Sequence, residues 1–150
     1  MKTILVAIDF SDVTNALLER AESLARAFDG ELYLVHVEAP EPDFVGFEPG
    51  PQHVRDRLAD EISKNSVQLI ALRDSLRDKG VRVHSLLLQG GIAQKLHDEA
   101  VRLNADCIVL GSHGRGALFH MLLGSVSNDV IRSAKCPILI IPGDVAGNNG

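Results

Sequence analysis

The 150-residue chain is 45% hydrophobic and 23% charged, the balance of one globular domain with its own core rather than of a disordered segment. Its formal net charge of -5 excludes a general nucleic-acid or anionic-membrane surface and leaves room only for a local anion site. No apolar run reaches the ~20 residues of a membrane span, and "MKTILVAIDFSD" meets Asp9 too early for a signal peptide; the expected location is the cytoplasm.

The run "TILVAID" (3–9) is continuously apolar, as a strand buried on both faces requires. Ser11 and Asp12 then offer a helix start. Val13, Leu17, Ala21, Leu24 and Phe28 recur at helical spacing, and Gly30 stands where the helix would stop. "ELYLVHV" (31–37) predicts a second strand. From Val54 to about Lys79 a long helix places Leu58, Ile62, Leu69, Leu72 and Leu76 on its apolar side and ends at Gly80. "VRVHSLLL" (81–88) predicts strand three. After Gly90 and Gly91, a third helix is marked by Ile92, Leu96, Ala100 and Leu103. "DCIVLG" (106–111) is strand four, Val126 to Ala134 helix four, and "CPILII" (136–141) strand five. This alternation implies βαβ units and right-handed crossovers. The expected fold is α/β: a single-domain, Rossmann-like, open doubly wound parallel sheet of five strands in the order 3-2-1-4-5. It would span 1–142, with 143–150 a frayed tail.

The segment "EAPEPDFVGFEPGPQH" (38–53) holds four prolines and two glycines and reads as a loop. Phe44 and Phe47 in it would either cover a bound base or cluster locally. Cys107 and Cys136 sit beside apolar strand residues and read as reduced, packed thiols. His36, inside an apolar strand, reads as a packed neutral histidine; His84, His97 and His120 show no metal-ligand spacing, and His113 is a loop residue.

The most informative stretch is "GSHGRGALFHMLLGS", from Gly111 to Ser125. In an open α/β sheet, ligands bind beyond the carboxyl ends of the strands, where strand order reverses. Asp9 ends strand one and Gly111 ends strand four, so neighbouring strands would set both on one crevice. Glycines at 111, 114 and 124 let backbone N–H groups approach an anion, and the free N–H groups of helix four suit a phosphate. Arg115 adds a positive charge. The bland alternative is that these glycines shape turns and Ser125 caps a helix. The loop is not of the GxxxxGK[ST] kind, because no lysine follows the last glycine.

The segment resembles the nucleotide-binding pattern of the universal stress protein family: Gly, two residues, Gly, nine residues, Gly, then Ser or Thr. Here these are Gly111, Gly114, Gly124 and Ser125. The likeness covers the chain: "ILVAIDFSD", "LYLVHV", "ADCIVLGSHGRG" and "GSVSNDVIRSAKCPILIIP" are similar to the family's strands and closing portion. The resemblance implies ATP binding, with or without Mg2+. Asp9 would lie against the adenosine and the Val37 backbone against adenine. Gly111 and Gly114 would approach ribose and phosphate. Gly124, Ser125 and Val126 would give backbone N–H groups to the phosphates, with Ser127 a further contact. Ala7, where many members have Pro, would form part of the adenine wall.

The implied function is a nucleotide-dependent regulatory or stress-response protein rather than a fast enzyme, because Asp9 is the one acid and lies away from the phosphates. A slow ATPase, or a sensor of AMP or cyclic AMP in the same pocket, is the alternative. In the 3-2-1-4-5 order, Pro137, Ile138, Leu139, Ile140 and Ile141 form an apolar edge strand unprotected by lysine. A homodimer through this strand is expected, together with an unknown protein partner.

Overall fold

Strands and helices alternate along the chain, as the apolar runs predict. A computed structural model describes residues 1–38, 51–111 and 125–142, the side chains of 125–128 excepted. Among the described residues the elements are β1 (Thr3–Ala7), α1 (Thr14–Phe28), β2 (Glu31–Glu38), α2 (Gln52–Asp78), β3 (Arg82–Gln89), α3 (Ile92–Arg102), β4 (Cys107–Gly111), α4 (Ser125–Ser133) and β5 (Ile138–Ile141). They form one parallel sheet in the order β3-β2-β1-β4-β5. The expected strand order is therefore observed.

The central strand explains why its sequence is apolar without interruption. Ile4, Leu5 and Val6 are wholly buried, because β1 has a strand on each side and helices on both faces. Side chains alternate across the pleat. Ile4, Val6 and Ile8 join Leu32, Leu34 and Val83 under α1 and α2, which contribute Leu17, Ala21, Leu69 and Leu76. Leu5, Val35, Val37, Ile108 and Leu110 face the other way, against Leu96 and Ala100 of α3 and Val130 of α4. Each fully buried leucine here contributes about 1.5–3 kcal/mol by leaving water. Cys107 and Cys136 are both free thiols, the first buried.

Several expected boundaries move. Glu38 completes β2, and Gln52 and His53 belong to α2, so the loop is shorter at both ends than 38–53. Helix α1 begins at Thr14 after Val13, and no side chain caps it. Phe28, placed by its spacing on the buried stripe, is 45% exposed: it is the last helical residue, where the chain is already turning. Asp29, not Gly30, takes the left-handed conformation that ends α1, at φ 50°. Gly30 is required for a different reason. A Cβ there would lie 2.9 Å from the Met1 carbonyl oxygen, so only glycine lets the start of β2 pass the N-terminus.

Candidate functional site

The sheet order reverses between β1 and β4, which run parallel, so that their carboxyl ends lie side by side. Their register pairs Ile4 with Cys107, Leu5 with Ile108 and Val6 with Val109. Continued one for one, it sets Ile8 level with Gly111, so Asp9 stands just beyond the end of β4. On the other side, Ala7 pairs with Val35, and the same continuation sets Asp9 level with Val37. The structure thus brings Ala7, Asp9, Val37 and Gly111 to one end of the sheet. Gly111 is buried and paired with Ile141. Val37 is 9% exposed and packs on the α3 side, where half-buried Ala7 also lies.

Ser125, Val126 and Ser127 form the first turn of α4. The helix begins after β4 on the strand-end side, with its unpaired N–H groups at that first turn. Gly114, Arg115 and Gly124 lie outside the described residues, as do Phe44, Phe47, His113 and His120.

Asp9 is half-buried, and its Oδ1 accepts the Ser11 N–H at 3.0 Å. The carboxylate therefore orders the turn into α1 rather than capping the helix, whose first amide, that of Thr14, bonds the Ser11 carbonyl at 3.0 Å. The next residue carries a feature that its type does not announce. Phe10 adopts φ 58°, a left-handed conformation unfavourable for a residue with a Cβ. Its ring lies 4.7 Å, centroid to centroid, from that of His36.

His36 is packed as expected and also bonded. Its Nδ1 lies 2.6 Å from the Ile8 carbonyl oxygen, and its Nε2 lies 3.3 Å from Glu38 Oε1. That same Glu38 oxygen accepts from Asn65 Nδ2 of α2 at 2.5 Å. Phe10, Glu38 and Asn65 are the residues of this end that sequence reasoning missed. The signal available for Glu38 was its i+2 spacing from His36, which puts both on one face of β2. The base of the sheet has its own polar tie: Asp106 Oδ2 accepts the N–H groups of Lys2 and Thr3 at 2.7 and 2.9 Å. These bonds, that of Thr3 foremost, hold the Asp106 carboxyl below its ordinary pKa.

Opposite that base, at the carboxyl edge, the arrangement suits binding. It offers the Asp9 and Glu38 carboxylates, the latter engaged by His36 and Asn65, backbone groups at strand ends and a helix N-terminus. Among the described residues no group of three or more His, Cys, Asp or Glu is placed to hold a metal ion, and no helix is long and apolar enough to cross a membrane.

Comparison with known proteins agrees with this geometry. A universal stress protein of Thermus aquaticus is 35% identical over 140 residues, covering 93% of this chain and 98% of that protein. A Methanocaldococcus jannaschii protein, solved to assign its biochemical function, superposes with a TM-score of 0.77 at 25% identity, covering 94% of this chain and 95% of that one. An Archaeoglobus fulgidus universal stress protein in complex with dAMP superposes with a TM-score of 0.61 at 26% identity, covering 94% and 98% of the two chains. The family described as "Universal stress protein family" matches residues 1–142. With the strand order, the reversal between β1 and β4 and these likenesses together, the chain belongs to the universal stress protein family.

Proposed function

We propose that the protein binds an adenine nucleotide, ATP in the first place, beyond the carboxyl ends of β1, β2 and β4. The observation that supports this reading is the adjacency of β1 and β4, which sets Asp9 and Gly111 at neighbouring strand ends, with α4 the next described element after β4. The dAMP complex of the Archaeoglobus fulgidus relative supports the ligand class. In this proposal Ala7 and Asp9 line the adenosine, and Val37 meets the base through its backbone. Gly111 and Gly114 pass close to ribose and phosphate. The N–H groups of Gly124, Ser125, Val126 and Ser127 meet the phosphates with the partial charge of the helix end, and Arg115 adds a formal one. Mg2+ enters only as the companion of the phosphates.

Occupancy then sets a conformation or a partner surface, so that the protein acts as a regulator in the cytoplasm rather than as a fast enzyme. Phosphoryl transfer needs metal-holding acids and a placed base near the γ-phosphate, whereas in this proposal Asp9 lies at the adenosine end and Glu38 is engaged by His36 and Asn65. The second reading is a monophosphate sensor, which the dAMP complex of the relative favours. Mass spectrometry of nucleotide retained by the purified protein separates the two. ATP in stoichiometric amount supports the first, AMP or cyclic AMP supports the second, and an empty site refutes both. Turnover that survives in neither Asp9→Ala nor Ser125→Ala would reassign the protein as a slow ATPase.

A further inference from the structure

The ladder between β1 and β2 stops one step short of what its register allows. A strand residue turns its N–H and C=O to the same side, and successive residues alternate. The Ile8 amide bonds the Val35 carbonyl at 2.8 Å, while the Glu38 carbonyl accepts the Gly90 amide on the β3 side at 2.9 Å. Odd-numbered residues of β2 therefore address β1, and Val37 is the next of them. In a regular parallel ladder the Ile8 carbonyl would accept the Val37 amide. Among the described residues no backbone bond joins that pair. The Ile8 oxygen instead has His36 Nδ1 at 2.6 Å. A carbonyl only accepts, so Nδ1 carries the hydrogen. The following rung is absent too, because Phe10 at φ 58° turns the chain away from β2.

We infer that His36 is a positioning residue for the base: by occupying the Ile8 carbonyl, its imidazole releases the backbone N–H of Val37 for a nucleobase. This rests on the nucleotide reading above and adds to it how the base edge is made. An amide with 9% of its residue exposed is costly without a partner, and a bound acceptor relieves it. Adenine presents a ring-nitrogen acceptor beside an exocyclic amine donor. That pair complements an N–H and a C=O on one side of one residue. On the ring's far side Nε2 lies 3.3 Å from Glu38 Oε1, a contact that holds the ring when Nε2 also carries a hydrogen, and Asn65 donates to the same oxygen. The contact with Phe10 links it to the left-handed turn.

Three variants separate this role from simple packing. His36→Asn keeps a donor near the position of Nδ1. His36→Gln moves the donor toward the position of Nε2. His36→Phe keeps the ring and removes both. The first readout is amide exchange of Val37 without added nucleotide. In His36→Phe and His36→Gln the amide gains the Ile8 carbonyl and slows by about fivefold or more, the scale of one net hydrogen bond, while His36→Asn exchanges like wild type. The second readout is calorimetry. ATP binding weakens by about tenfold in His36→Phe and His36→Gln and by less than about threefold in His36→Asn; inorganic triphosphate binds all four proteins alike. Should His36→Phe not fold, the Asn and Gln variants carry the same comparison. Equal Val37 exchange in all variants overturns the inference, as does equal ATP affinity. A wild type that binds no nucleotide defeats the proposed function instead, and the exchange of Val37 still decides what His36 does.

Discussion

Asp106 shows how a single exposed carboxylate can tie the molecule together. Its carboxyl joins the first residues of the chain to the start of β4, and those bonds lower its pKa. A native pKa below the unfolded one stabilises the fold above the unfolded value, near 4, and that stability is lost as pH falls through the native pKa. Asp106→Ala is therefore expected to cost no more than about 1 kcal/mol in urea unfolding at pH 7, screened as the carboxylate is by solvent, and progressively less as the pH is taken below about 4; a cost that stays constant down to acid unfolding would contradict this. Burial raises both cysteine thiols, with Cys136 and Asp106 adding to the effect on Cys107 and Asp106 to that on Cys136. Both are expected to react slowly with a thiol reagent at pH 7.5 in native protein and fully in denaturant. At this scale the sequence is uneven. Asp9 was legible as the polar residue that closes an apolar run, although β1 itself ends two residues earlier, at Ala7. The left-handed Phe10 was not, since phenylalanine has no preference for that conformation. The bond from His36 to Ile8 was not either, because it depends on where the neighbouring ladder stops.

Helix α2 is the element whose sequence and structure differ most. Its 27 residues span about 40 Å, whereas the eight residues of β3 span about 26 Å. The hydrogen bond from Asn65 to Glu38 sets residue 65 level with the carboxyl end of β2, so the helix before it overruns the sheet. That is why Leu69 and Leu76 are buried while Leu58 and Ile62 are only partly so. Periodicity marks which side of a helix is apolar, but not how far the sheet beneath extends. Val67, at 66% exposure, is bare for a different reason: two residues from buried Leu69, it points to the opposite side of the helix. Local opening should follow burial. Amides of 56–65 are expected to exchange faster than those of 68–78, and uniform protection along α2 would show a support that this geometry lacks. The shorter helices were better predicted, since α3 and α4 lie within the sheet's length.

For the whole molecule, the strand order was legible because alternating apolar runs and amphipathic helices leave few right-handed topologies. It exposes β5 at one edge, with Leu139 38% exposed. We expect two copies to pair through this strand, and Ile140→Lys to shift sedimentation from dimer toward monomer; a wild type that sediments as a monomer at tens of micromolar would end that proposal. Of the proposed site, the sequence made legible the meeting of the strand ends of β1 and β4; the proposed phosphate side calls on glycines whose effect would depend on a ligand's approach rather than on packing. The most direct test of the account is calorimetric titration of ATP into wild type and Gly124→Val. A side chain at the entrance to α4 would block the phosphates while leaving the fold intact. The account predicts one ATP per chain for wild type and a loss of at least about a hundredfold in Gly124→Val, roughly the sum of two to three net hydrogen bonds. ATP binding as tight in Gly124→Val as in wild type would contradict it.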